Sequence, residues 1–140
     1  VDSDAEVERR TGVDIAFIFE KEGEEGFRRR EQAAIGDLTS QHGIVLATGG
    51  GAVLSADNRA ALTSRGTVIY LHASVWQQMA RTRHSTNRPL LQTVDPKERL
   101  EHLMTIREPI YREIADVVIE TDGRRVKEVA REIMNQIEQE

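Results

Sequence analysis

Three short runs of β-branched and apolar residues stand out from a polar background: residues 44–48, 67–71 ("TVIYL") and 117–121 ("VVIET"). They are continuous rather than alternating, which predicts strands covered on both faces, as in a parallel sheet. The stretches between them carry helical periodicity. Asp14 is placed to cap "IAFIFEKEG", and residues 24–41 read as a polar-faced helix that turns Phe27, Ala34, Ile35 and Leu38 inward. Ser55 caps "ADNRAALTS", Ser74 caps "VWQQMARTR", and Asp95 followed by Pro96 signals a long helix reaching to about Ala115. In residues 124–139, Val126, Val129, Ile133 and Ile137 share one helical face, which is expected to pack back on the sheet. Strand and helix alternate without repeat or linker, so the expected fold class is an α/β sandwich with right-handed crossovers.

Composition narrows the partners. A chain of 140 residues suits one domain, and 39% hydrophobic with 31% charged residues reads as globular. There are no cysteines, which removes disulfides and thiolate metal sites and fits a reducing, cytoplasmic setting. A net charge of −5 offers no general field for nucleic acid or an anionic membrane, so any anion site must come from local arginines. The four histidines are too scattered to pair as ligands, and no apolar run approaches a membrane span.

The candidate chemistry begins at "GIVLATGGGAVL", where three glycines follow an apolar run. Glycines after a buried strand let backbone N–H groups approach a ligand, although a tight turn with no ligand would use the same residues. A dinucleotide fingerprint fails, because after Gly49 and Gly51 the third glycine position is Leu54. At the start of the chain, Asp2 and Asp4 lie two apart and, if extended, face the same side; Asp4 could equally cap the following helix. In "GEEGFRRRE", Arg28 offers a guanidinium fork beside Phe27, an apolar plate, while Arg29, Arg30 and Glu31 read as a solvated helix face. Residues 82–95 form a polar loop with the character of a lid, carrying Arg88 before Pro89. Arg107 precedes Pro109, which is expected to kink or interrupt its helix and could aim Arg107 into the sheet's crevice or leave it exposed.

Taken in order, "DSD", "GFR", "TGGGAV", "NRPLL" and "REPIYREIAD" resemble the shikimate kinase family, within the P-loop nucleoside monophosphate kinase group, from residue 1 to about residue 138. The resemblance implies a three-layer α/β/α fold with a parallel sheet, and ATP-dependent phosphorylation of the 3-hydroxyl of shikimate on the aromatic amino-acid (chorismate) route. It assigns Asp4 to the acceptor hydroxyls and nucleophile, Asp2 to magnesium through water, and Arg28 and Arg107 to the shikimate carboxylate. Gly49, Gly50 and Gly51 would meet the ring as bare backbone with Phe27 nearby, Arg88 would close on the phosphates, and Arg81 and Arg124 would flank the adenine. Where the family often has a proline over the adenine, this chain has Val126.

One family element is missing. The pattern G-x-x-x-x-G-K-[ST] occurs nowhere in the chain, so the resemblance implies that this motif, with its strand and helix, should lie just before Val1 and that the chain is an N-terminally truncated domain. Without those phosphate-binding groups the chain alone is expected to have little kinase activity. The full-length protein is expected to be a monomer, whereas the truncated chain could associate through unpaired sheet edges. The alternatives are a non-catalytic shikimate-binding module and a related small-metabolite kinase such as a gluconate kinase.

Overall fold

The computed structural model describes residues 1–82 and 95–138. In chain order these form α1 (Ser3–Thr11), α2 (Ile15–Leu38), a 3-10 turn (Gly50–Leu54) called here the glycine turn, α3 (Ala56–Arg65), β1 (Ile69–His72), α4 (Val75–Thr82), α5 (Pro96–Ile114), β2 (Val117–Glu120) and α6 (Val126–Glu138). The class is α/β with parallel pairing: β1 and β2 run in register from Ile69 opposite Val117 to His72 opposite Glu120.

Local chemistry sets the helix boundaries. The carboxylates of Asp14 and Asp95 accept from the backbone of Phe17 and Glu98, and the hydroxyls of Ser55 and Ser74 accept from Asn58 and Gln77, so each predicted cap is in place. At the start of the chain the cap is Asp2 rather than Asp4. Asp2 Oδ1 accepts from the backbone of Asp4 at 2.8 Å and of Ala5 at 3.2 Å, which puts Asp4 inside the first turn of α1. The two carboxylates therefore do not share one side of an extended strand.

Helix α2 is two helical segments joined at a corner. Gly23 has φ 72° and ψ −179°, a left-handed conformation costly to any residue with a Cβ. Across the corner, Glu22 receives both Nε and Nη2 of Arg30 at 2.8 Å each. Residues eight apart in an unbroken helix are separated by about 12 Å along the axis, so this bidentate pair exists only because the chain folds back at Gly23. Gly26 permits the fold: a Cβ there would lie 2.4 Å from Glu22 Cβ. The helix ends at Leu38, short of the expected Gln41, because Thr39, Ser40 and Gln41 turn back on the carbonyls of Ile35, Asp37 and Leu38.

Two expectations change. The run 44–48 is not a regular strand among the described residues; it forms a short parallel bridge with the first residues of the chain. Ala47 N–H donates to Val1 carbonyl, Ser3 N–H to Ala47 carbonyl, and the terminal ammonium to Val45 carbonyl. That ladder is too short to count as a strand. Pro109, in turn, does not interrupt α5, which runs on to Ile114. Both Pro109 and Thr105, whose carbonyl loses its donor, are exposed, so water can replace the missing bond.

The main apolar cluster joins α1 to α2 through Val7, Ile15, Ile18, Phe27 and Ala34, with Phe19 stacked at 5.1 Å on Phe27. All four predicted inward residues of α2 are buried. Helix α6 is less embedded than its sequence implies. Val129 and Ile133 are half-buried against β2's side of the molecule, but Val126 is 85% exposed and Ile137 42%. Among the described residues α6 packs chiefly on β2, so one turn of that face finds cover and its ends do not. No helix of the described residues is long and apolar enough to cross a membrane.

Ile35 on α2 is fully buried, at 0% exposure. Ile35→Ala is expected to cost about 3 kcal/mol of stability by leaving a cavity, read as a lower urea midpoint with an unchanged slope; an unmoved midpoint would show that this face is not core.

Candidate functional site

The glycine turn is anchored at its far end before any ligand is considered. Asn58, 2% exposed, donates from Nδ2 to Ala52 carbonyl at 3.0 Å, and Arg59 Nη1 donates to Val53 carbonyl at 2.7 Å. These bonds tie α3 to the turn and satisfy carbonyls that a short 3-10 helix leaves open. Helix α2 joins from the side, Gln32 Nε2 donating to Asp57 at 2.8 Å.

Against this fixed backbone come four charged side chains and a tyrosine, three of which, Arg28, Arg107 and Tyr111, crowd space that a Cβ would occupy. A Cβ on Gly49 would lie 3.4 Å from both carboxylate oxygens of Asp4 and 3.7 Å from Glu31 Oε2. On Gly50 it would lie 2.7 Å from the Tyr111 hydroxyl and 3.2 Å from Arg107 Nη1. On Gly51 it would fall 2.3 Å from Arg28 Nη2. Gly50 and Gly51 are therefore required by side chains already present, whereas a Cβ on Gly49 would meet Asp4 and Glu31 in ordinary contact. Those two glycines do not merely relax a turn.

The sequence-predicted residues Asp4, Arg28, Arg107 and Gly49 to Gly51 thus come together from α1, α2, α5 and the turn. Arg28 is held on two sides, Nη1 donating to Glu31 Oε1 at 2.9 Å and Nη2 to Glu24 at 3.3 Å. Phe27 is 4% exposed in the α1–α2 core, and the Arg28 guanidinium stands 5.2 Å from its ring. Asp2 remains at the edge, engaged in its cap. Arg81 and Arg124 lie together elsewhere, at the end of β2: Arg81 Nη2 donates to Thr121 carbonyl at 3.3 Å and Arg124 Nη1 to Glu120 carbonyl at 3.0 Å. Arg88, with most of the predicted lid, lies outside the described residues.

Two members were not anticipated. Glu31 closes the charged run "RRRE", yet its side chain is 1% exposed while Arg29 and Arg30 are open to water. Helical spacing could have shown this, since Glu31 falls on the same face as Phe27, Ala34 and Leu38. Tyr111, one turn after Arg107 on α5, donates its hydroxyl to Gly50 carbonyl at 2.7 Å. Burial raises both acids above their ordinary ranges: for Glu31 it outweighs the attraction of Arg28, with Asp4 adding to the rise, and for Tyr111 it outweighs Arg107. Glu31 Oε2 and the Nε atoms of Arg28 and Arg107 are buried with no hydrogen-bond partner among the described residues. Such a set of opposite charges around bare backbone can hold a small polar molecule bearing a carboxylate.

The raised Glu31 has a readable consequence. An acid whose folded value exceeds its unfolded one contributes most at low pH, and that contribution is lost as pH rises through the folded value. Glu31→Gln removes the titration and keeps the acceptor for Arg28, so its melting temperature should gain on the parent as pH rises from 4 to 7. A constant difference across that range would overturn the assignment.

The family model for shikimate kinase matches residues 1–138. A shikimate kinase of Pseudomonas syringae pv. tomato is 59% identical over 133 residues, covering 95% of this chain and 77% of that protein. One from Vibrio cholerae serotype O1 is 53% identical over 139 residues, covering 99% and 80%. The solved shikimate kinase from Acinetobacter baumannii in complex with shikimate matches with a TM-score of 0.95 at 49% identity, over 97% of this chain and 76% of that one. With a family match along nearly its whole length and relatives up to 59% identical, the chain belongs to the shikimate kinase family.

Proposed function

We propose that this chain carries the acceptor site of an ATP-dependent kinase that phosphorylates the 3-hydroxyl of shikimate. The observation that carries the reading is the convergence of Arg28 and Arg107 with Asp4 on the glycine turn. The two guanidiniums suit the carboxylate of shikimate, and the glycines leave room for a ring that bears hydroxyls on several carbons. Asp4, at the first turn of α1, then receives the hydroxyl that attacks. As the new O–P bond forms and the bond from the γ-phosphorus to ADP breaks, the hydroxyl proton passes to Asp4. Glu31 stays behind Arg28 and keeps its fork turned to the turn.

Arg81 and Arg124, paired at the end of β2, would flank the base, and Arg88 would close on the phosphates. Among the described residues no group of three acidic, histidine or cysteine side chains could cage a metal. The magnesium proposed here is the ion that comes with ATP, met by Asp2 through water. The pattern G-x-x-x-x-G-K-[ST] is absent from these 140 residues, so turnover is expected only where that phosphate cradle is supplied, whereas acceptor binding needs only groups described above. A cytoplasmic setting and a monomeric complete enzyme belong to the same proposal.

The test is ADP release by the natural gene product with shikimate or gluconate as acceptor, alongside calorimetry with shikimate. Shikimate should be the preferred acceptor. Arg28→Ala and Arg107→Ala should each weaken shikimate binding by about 10-fold to 100-fold, the worth of one charge-assisted contact, and Asp4→Asn should lower kcat by about 100-fold or more. Preference for gluconate, or shikimate binding without turnover, would move the protein to another kinase specificity or to a binding role.

A further inference from the structure

We propose that Tyr111 is a positioning residue for the acceptor: its hydroxyl pins the carbonyl of Gly50 and thereby holds Arg107 at a fixed distance from Arg28 across the glycine turn. This rests on the reading of that turn as the shikimate site. The tie is direct, because the hydroxyl donates to Gly50 carbonyl at 2.7 Å while Arg107 sits one turn earlier on the same face of α5. The other arginine reaches the turn from the opposite element, α2, and lies against Gly51. The peptide joining Gly50 to Gly51 thus lies between the residue that meets Arg107 and the residue that meets Arg28. A planar trans peptide moves as one unit, so fixing its carbonyl fixes the N–H on its other side.

Among the described residues the other anchors of the turn act elsewhere: the α3 bonds reach Ala52 and Val53, past the two glycines, while the Arg107 guanidinium packs beside Gly50. The Tyr111 ring is itself held, its centroid 4.9 Å from that of Tyr70 on β1, so the hydroxyl is aimed by the sheet. Glycines have no side chains with which to hold their own orientation. A carbonyl between two of them needs an outside partner, and Tyr111 is that partner.

The experiment uses the natural gene product, its Tyr111→Phe variant and Tyr70→Phe as control, with shikimate varied at saturating ATP and the reverse. Tyr111→Phe keeps the ring and removes only the hydroxyl. It should raise KM for shikimate about fivefold, as expected for one lost buried hydrogen bond, with KM for ATP and kcat changed less than about twofold. Tyr70→Phe, which removes a hydroxyl that contacts Met104 sulfur and not the turn, should move neither KM. An unchanged shikimate KM in Tyr111→Phe would overturn the inference. So would equal rises in both KM values with a lower melting temperature, the mark of a merely structural role. If the parent protein ignores shikimate altogether, the proposed function falls and takes this inference with it; an active parent with an indistinguishable variant sinks the inference alone.

Discussion

The site depends on one steric constraint: Gly50 and Gly51 must have no side chain, because the Tyr111 hydroxyl and the guanidiniums of Arg107 and Arg28 crowd the places where their Cβ atoms would be. Arg28, the tightest of these, stands where a Cβ on Gly51 would be only 2.3 Å away. Close approach of this kind gives the arginines short reach to anything resting on the turn. It also means that the turn cannot be held by its own side chains, and so depends on Asn58, Arg59 and Tyr111 from neighbouring helices. The binding surface and its scaffold are therefore the same set of contacts.

Charge balance follows from that crowding. Two guanidiniums brought within reach of one short turn would repel each other in a partly dry site unless carboxylates answered them. Glu31 and Glu24 answer Arg28. The cost appears at Glu31, where burial disfavours the charge despite its partner. On the proposed reading, a carboxylate-bearing acceptor would add negative charge beside the two guanidiniums, which would link its affinity to the electrostatics of the site.

Much of this was legible in the residue order, and the failures have physical causes. Caps at Asp14, Ser55, Ser74 and Asp95 are local chemistry, decided by a side chain and a backbone N–H three residues on, so they could be read without tertiary information. The glycines, Asp4, Arg28 and Arg107 were readable because motif order carried them. Glu31 was hidden by its neighbours: in a run of four charged residues the eye sees a solvated face, and only the helical period separates the buried member from the exposed ones. Tyr111 was hidden because its partner is a backbone carbonyl 61 positions away. The run 44–48 looked like a strand by composition, but a strand is a pairing, and its partner here is only the first few residues of the chain.

The corner at Gly23 bears on how such a site could drift. Helix α2 carries Arg28, Glu31 and the core residue Phe27, and the bearing of that segment is set where Glu22 and Arg30 clasp across two glycines. A larger residue at Gly26 would swing the whole segment like a crane arm about its pedestal, carrying Arg28 with it, while leaving every atom in the pocket chemically the same. Acceptor preference in this lineage can thus change through residues that never meet the acceptor, and a comparison of pockets alone would miss the cause.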